Sequence, residues 1–116
     1  MDKVVYCKFN IEGFHYWEGA IKTTEKYLSN MHRHIFYFKC GVGVEGDDRE
    51  IEFIKLRREI KQFLVNNYGL PCNFDTLSCE MIAKHIIMFL KSKYGDRHYV
   101  IDVSEDNENG ALITDG

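Results

Sequence analysis

Two histidines separated by one residue, His32 and His34, have the spacing in this chain that most directly indicates chemistry. They begin the run "NMHRHIFYFKCGVGVEG" at residues 30–46, whose aromatic and β-branched residues predict a strand. In a strand, residues i and i+2 point to the same face about 6.5 Å apart, so both imidazoles can face one point. Imidazole suits zinc, so the pair predicts part of a metal site. The alternative is a pair of surface or packing histidines, which is the commoner role of an isolated His-x-His.

A third imidazole is available at His15, which follows the alternating segment 3–14. That segment predicts a strand whose odd-numbered positions form the more apolar face. If this strand neighbours the one that begins near His32, three histidines converge from two adjacent elements. A catalytic zinc commonly takes three protein ligands and leaves a fourth position for water or substrate.

The elements that must position these residues follow from turn chemistry and hydrophobic periodicity. Residues 17–30 have no clean period and predict a long connection with one helical turn. The turn "EGDDRE" at 45–50 precedes a short apolar run, Ile51–Ile54, which predicts a strand antiparallel to the preceding one.

Two amphipathic helices and a final strand pair are predicted in the second half of the chain. Apolar residues recur at helical spacing in two stripes, one before Gly69 and one that starts after an N-cap at Thr76 or Ser78 and runs to about Tyr94. The stripes are Leu56, Ile60, Phe63, Leu64 and Ile82, Ile86, Phe89, Leu90. The strand "RHYVIDVSED", the turn signal "NENG" and the strand "ALITDG" complete an α+β pattern in one domain, residues 1–116.

Composition excludes several classes of protein. The net charge is −3 with a pI of about 5.9, and the basic residues do not form a stripe, so nucleic acid is not an expected partner. No apolar run approaches the roughly 18 to 20 residues needed to cross a bilayer, so no membrane partner is expected. Four cysteines without a Cys-x-x-Cys pair favour a reduced, cytoplasmic setting.

Several segments in order resemble the 6-pyruvoyl-tetrahydropterin synthase and 6-carboxytetrahydropterin synthase family. They are "GFHYW", "HRHIFYFKCGVGVEG", "REIEFIKLRREIKQFL", "LSCEMIAKHI" and "VSEDNENGA", and together they cover almost the whole chain. The resemblance implies a tunnelling fold: a four-stranded antiparallel sheet with two helices packed on one face. It also implies a homo-oligomer in which trimers stack into hexamers, with the active site between subunits.

Individual roles are implied only where this sequence matches the family's motifs. The zinc (Zn²⁺) ligands fall on His15, His32 and His34, with Arg33 between the last two pointing to the opposite face. Glu52 falls at the place of a usual aspartate. The pterin pocket falls on Ser78, Cys79 and Glu80, and the glutamate that anchors the pterin falls on Glu105.

The chemistry expected of Glu105 does not depend on the family resemblance. A carboxylate accepts two parallel N–H bonds from a 2-amino-pyrimidinone edge, so Glu105 could read a pterin or a purine-like ligand. The alternative is an acidic residue that merely ends a strand before a turn.

The sequence departs from the family at its proton-transfer residues. The family's cysteine base is replaced by Leu28 or Ser29, and its Asp-His pair by Val65 and Asn66, so the catalytic base is unknown. Asn66 does not titrate near neutrality. A thiolate could come from one of the other cysteines, although buried structural thiols are the commoner outcome. The candidates are Cys79, Cys40 and Cys7.

Three functions therefore remain open. The resemblance implies a zinc-dependent lyase acting on 7,8-dihydroneopterin triphosphate, in tetrahydropterin or queuosine (7-deazaguanine) synthesis. The second is an altered or inactive homologue that binds a pterin or purine-like ligand without turnover. The third is a metal-free structural subunit.

Overall fold

The computed structural model describes residues 1–116, which form five strands and two long helices. The strands are β1 (Lys3–His15), β2 (His32–Val44), β3 (Cys72–Asp75), β4 (Tyr99–Glu105) and β5 (Asn109–Asp115). The helices are α1 (Phe53–Tyr68) and α2 (Cys79–Tyr94), and two short 3₁₀ helices, Glu18–Lys22 and Lys26–Ser29, connect β1 to β2. The α+β class predicted from the sequence is confirmed.

The five strands form one mixed sheet, in the order β3-β1-β2-β4-β5. The β1-β2, β2-β4 and β4-β5 pairs are antiparallel, whereas β3 runs parallel to β1 at the edge. The expectation of four antiparallel strands is therefore wrong in both number and direction. Strand β3 was not among the elements predicted from the sequence. Its backbone extends the sheet beside the end of β1, and Cys72 and Phe74 are buried.

The expected strand at Ile51–Ile54 is also wrong. Ile51 is buried in an irregular segment, and α1 begins two residues later at Phe53. The side chain of Glu52 accepts hydrogen bonds from the backbone N–H groups of Ile54 and Lys55, at 3.0 and 2.8 Å. A carboxylate at this position satisfies N–H groups that have no partner within the helix. Capping by Glu52 thus starts the helix at Phe53, within the run that was predicted to be a strand.

Both helices pack on the same face of the sheet. The core contains the odd-numbered residues of β1 and β4, the even-numbered residues of β2, and the apolar stripes of α1 and α2. Both stripes lie where the helical periodicity predicts them, and Ser78 is the N-cap of α2. Phe9 and Phe38 stack across β1 and β2 with ring centroids 4.8 Å apart. None of the helices combines the length and apolar character needed to cross a lipid bilayer.

The packing of α2 is testable by a pair of truncations on one helix. Leu90 is fully buried, whereas Met88 is 68% exposed. We expect Leu90→Ala to lower the free energy of unfolding by about 2 to 5 kcal/mol, because it leaves a cavity in the core. Met88→Ala should change it by less than about 0.5 kcal/mol. Urea unfolding followed by circular dichroism measures both, and equal effects would contradict this orientation of α2.

Candidate metal centre

Polar side chains replace the apolar ones at one end of the helix-covered face of the sheet. His15 is the last residue of β1, His32 and His34 are the first and third of β2, and Glu105 is the last of β4. Each has the parity of the core residues in its own strand, so all four lie on the face that the helices cover. His15 is 7% exposed and is the only buried polar or charged residue of the chain.

The antiparallel register brings the three imidazoles together. His15 lies directly opposite His32, and Gly13 lies opposite His34. The ring centroid of His15 is 4.7 Å from that of His32 and 5.6 Å from that of His34, and the other two are 5.0 Å apart. One nitrogen from each ring lies within 4.8 Å of the others, so this cluster could hold a metal ion. The structure thus brings together the three metal ligands expected from the sequence.

The hydrogen bond made by the Nδ1 atom of each ring determines which of its two nitrogens carries the proton. The Nδ1 atom of His15 lies 2.8 Å from the carbonyl oxygen of Leu77, and that of His32 lies 2.9 Å from the carbonyl oxygen of Asn30. The Nδ1 atom of His34 lies 2.7 Å from a carboxylate oxygen of Asp106. Carbonyl and carboxylate oxygens only accept, so each Nδ1 must carry the proton. Each neutral ring then presents an Nε2 lone pair, which is the form that binds metals.

The cluster fits a zinc ion on two further observations. The Nε2 atom of His34 is buried and makes no hydrogen bond, so a cation there would satisfy a polar atom that is otherwise without a partner. In a tetrahedral zinc site, Zn–N bonds of about 2.0 to 2.1 Å place the nitrogens roughly 3.4 Å apart. The histidine nitrogens lie within 4.8 Å of one another, so side-chain rotations that shorten the longest of these separations by at most about 1.4 Å would reach this geometry.

Glu105 faces the same cluster rather than open solvent. Its Oε1 atom is 3.2 Å from Nε2 of His15, and its Oε2 atom is 3.1 Å from Nε2 of His34. The second pair is close without the alignment of a hydrogen bond, since Nε2 of His34 has no hydrogen-bond partner. The pKa of Glu105 is lowered, first by its contact with His15 and then, against the effect of burial, by the charge of His34. Burial acts to lower the pKa of His15, but Glu105 and the Leu77 carbonyl raise it overall.

Asp106 contacts the cluster and was not predicted from the sequence as a site residue. Its Oδ2 atom accepts from Nδ1 of His34, and its Oδ1 atom accepts from the backbone N–H of Ile35 at 2.9 Å. The contact with His34 is also the main reason why the pKa of Asp106 is lowered. The only signal in the sequence is an aspartate directly after Glu105 in "SEDN". A carboxylate that holds the far nitrogen of a ligating imidazole is a common support for zinc.

The start of α2 borders the cluster, with a different role for each of its three expected pocket residues. The Ser78 hydroxyl caps the helix by accepting from the backbone N–H of Met81 at 3.2 Å. The Cys79 sulfur is buried 3.9 Å from Oε1 of Glu105. Glu80 is exposed and makes no contact with the cluster. Burial and the charges of Glu105, Glu80 and Asp102 raise the pKa of Cys79 to about 12.

The other cysteines considered as thiolate sources lie too far away. Cys7 and Cys40 face each other across β1 and β2. Cys40 is six residues along β2 from His34, which is roughly 20 Å at the rise of an extended strand. All four cysteines of the chain are free and buried.

The remaining positions singled out in the sequence lie outside the cluster. The side chain of Arg33 is exposed and forms an ion pair with Glu12, so it points away from the metal cluster as expected. Asn66 is exposed on α1, where it accepts from Gln62. Glu52, at the place of a family aspartate, is the N-cap of α1.

Comparison with known proteins does not assign the chain to a family. No protein-family model matches the sequence, and no curated protein matches it.

Zinc binding by the histidine cluster is directly testable. We expect one zinc per chain after dialysis, measured by atomic emission. His32→Ala should weaken zinc affinity at least about tenfold, because it removes one of three imidazole donors. His98→Ala is the matched control, since His98 is exposed and lies outside the cluster. Equal zinc content in both variants would contradict the assignment.

Support from Asp106 makes a separate prediction. Asp106→Asn retains the shape and the acceptor for the Ile35 N–H, but removes the charge that orients His34. Zinc affinity, measured by competition with a chromophoric chelator, should fall by about 10- to 100-fold. Glu108→Gln, an exposed residue of the same turn, should leave the affinity unchanged. Unchanged affinity in Asp106→Asn would mean that the ring is held without this carboxylate.

Proposed function

We propose that this chain is a zinc-dependent lyase of the 6-pyruvoyl- and 6-carboxytetrahydropterin synthase type, with a tunnelling fold. Its proposed substrate is 7,8-dihydroneopterin triphosphate, in tetrahydropterin or queuosine biosynthesis. The observation that carries the proposal is the convergence of three imidazoles whose Nδ1 atoms are all engaged and which each place one nitrogen within 4.8 Å of the others. The pterin part of the proposal depends on the sequence resemblance.

Each group at the site has a definite part in this proposal. His15, His32 and His34 would hold the zinc, which would supply Lewis acidity towards the hydroxyl or carbonyl oxygens of the pterin side chain and so favour loss of the adjacent C–H proton. Glu105 accepts two parallel N–H bonds from the 2-amino-pyrimidinone edge and so fixes the ring. Its lowered pKa keeps it ionised at neutral pH, as this recognition requires. Asp106 maintains the orientation of His34.

The proposed assembly is a trimer, or a hexamer of two stacked trimers. The strand order leaves one edge of β3 and one edge of β5 without a partner in the single chain. Unpaired strand edges favour association, and a closed ring of subunits satisfies them. The sheet face opposite the helices also exposes apolar side chains, among them Tyr6 and Leu112.

A second candidate function is ligand binding without turnover. The specific observation in its favour is the environment of the one thiol at the site: Cys79 is buried, with its sulfur 3.9 Å from the Glu105 carboxylate, and both features raise the pKa of the thiol and disfavour the thiolate. The positions that correspond to the family's proton-transfer residues carry Leu28 or Ser29 in place of the cysteine, and Val65 and Asn66 in place of the Asp-His pair. None of these side chains titrates near neutral pH. In this case Glu105 and the metal capture a pterin or purine-like molecule and release it unchanged.

A single incubation separates the two functions. Purified protein with zinc is mixed with 7,8-dihydroneopterin triphosphate, and triphosphate release is followed by mass spectrometry, with binding followed by calorimetry. We expect saturable binding and product formation, both lost in His32→Ala and retained in His98→Ala. Saturable binding without product would favour the non-catalytic function. Absence of both binding and product would contradict the pterin proposal altogether.

A further inference from the structure

The Glu105 carboxylate straddles two of the three proposed zinc ligands. One of its oxygens is 3.2 Å from Nε2 of His15, and the other is 3.1 Å from Nε2 of His34. These are the two nitrogens that remain free after Nδ1 of each ring is engaged. The carboxylate therefore lies against two of the three nitrogen donors that would surround a cation in this cluster.

The fold holds Glu105 in this position. It ends β4 directly opposite Phe36 of β2, and the next residue bonds back to β2 through its backbone N–H, which donates to the Ile35 carbonyl at 2.7 Å. Asp106 and Asn107 have positive φ angles of 55° and 58°, and the N–H of Glu108 donates to the carbonyl of Glu105 to close the turn. Glu105 is thus fixed at its backbone on both sides.

A positive charge must lie between the Glu105 carboxylate and the two imidazole rings for their contacts to be favourable. A neutral imidazole with its proton on Nδ1 presents a lone pair at Nε2, and a lone pair and a carboxylate oxygen repel each other. Either a proton on each Nε2 or a shared cation makes these contacts favourable. At His34 no hydrogen bond is formed from Nε2, so its geometry fits a shared cation better than a shared proton.

The separations of Glu105 from His15 and His34 agree with those between two donors to one zinc ion. Donors about 2.0 to 2.2 Å from a tetrahedral zinc are roughly 3.3 to 3.5 Å apart. The two oxygen-to-nitrogen distances of 3.2 and 3.1 Å are close to this range without any movement. Four protein donors make a closed zinc site, whereas three leave a position open to solvent and substrate.

We propose that Glu105 is the fourth donor to the metal when no heterocycle is bound, and that a ligand with a 2-amino-pyrimidinone edge draws it away. The same carboxylate cannot serve both partners at full strength, because the N–H groups of the ligand compete with the cation for its oxygens. Binding of the ring therefore opens the fourth position, which stays closed to other small anions in the empty site. This inference depends on the metal site of the proposed function and, for the opening step, on its pterin ligand.

Cobalt substitution tests the inference without reference to turnover. The visible spectrum of Co²⁺-loaded protein reports the ligands of the metal, and azide is a probe for an open position. In the wild type, azide should leave the spectrum unchanged until 6-methylpterin is added, and should then alter it, because this ligand has the 2-amino-pyrimidinone edge but no side-chain hydroxyl to occupy the opened position. Glu105→Gln should respond to azide directly and should bind Co²⁺ at least about tenfold more weakly in chelator competition. Glu108→Gln is the matched control and should behave as the wild type.

A second variant keeps the test independent of folding defects. Glu105→Asp retains the charge but withdraws the carboxylate by one methylene, so it should also respond to azide directly. Circular dichroism establishes that each variant is folded.

Each contrary outcome has its own meaning. A wild-type response to azide alone, or unchanged metal affinity and spectrum in Glu105→Gln, would overturn the fourth-donor role and leave the proposed function standing. If azide still leaves the wild-type spectrum unchanged in the presence of 6-methylpterin, the opening step alone would be overturned. Failure of the wild type to bind Co²⁺ or Zn²⁺ would remove both this inference and the proposed metal site.

Discussion

The register between β1 and β2 is the constraint on which the metal cluster depends. Thirteen consecutive residue pairs join the two strands, and the last of them places His15 opposite His32. Side chains alternate between faces, so a slip of one residue would move every histidine of one strand to the other side of the sheet. The register is maintained far from the cluster, by core pairs such as the stacked rings of Phe9 and Phe38. The hydrophobic core therefore determines the geometry of the polar end.

The transition from core to cluster depends on one aromatic ring and one glycine. Phe36 is fully buried, with its ring centroid 5.2 Å from that of His15 and 5.8 Å from that of His34. Gly13 lies opposite His34, and a Cβ atom there would be 2.9 Å from the ring of Phe74 and 3.0 Å from that of Phe36. The missing side chain leaves room for an apolar floor beneath the imidazoles. Such a floor excludes water and strengthens the interaction of the rings with Glu105.

Much of this arrangement follows from periodicity, and the exceptions have physical causes. The long strands, both helices and the convergence of His15, His32 and His34 could be predicted, because each depends on a repeat that the sequence displays. Strand β3 could not be predicted, because four residues with two apolar positions carry too little pattern beside turn-forming neighbours. The run Ile51–Ile54 suits a strand or a helix equally well by composition, and capping by Glu52 decides between them.

The groups that orient the three imidazoles could not be predicted from the sequence, for a different reason. His15 and His32 are oriented by the backbone carbonyls of Leu77 and Asn30, and every residue has such a carbonyl. The residue type therefore does not predict which backbone carbonyl will accept a hydrogen bond from an imidazole. Only the third support is a side chain, that of Asp106. Its role depends on a turn conformation that the residue type alone does not predict.

Two adjacent carboxylates act on opposite sides of the same imidazole. In a regular strand, Glu105 and Asp106 would point to opposite faces of the sheet. Asp106 instead has a φ angle of 55°, which ends β4 and returns its carboxylate to Nδ1 of His34 while Glu105 stays beside Nε2. The imidazole of His34 is therefore contacted at both nitrogens by consecutive residues. Asp106 orients the ring through Nδ1, and Glu105 lies beside Nε2. The hairpin therefore connects two strands and also positions both carboxylates at the candidate metal centre.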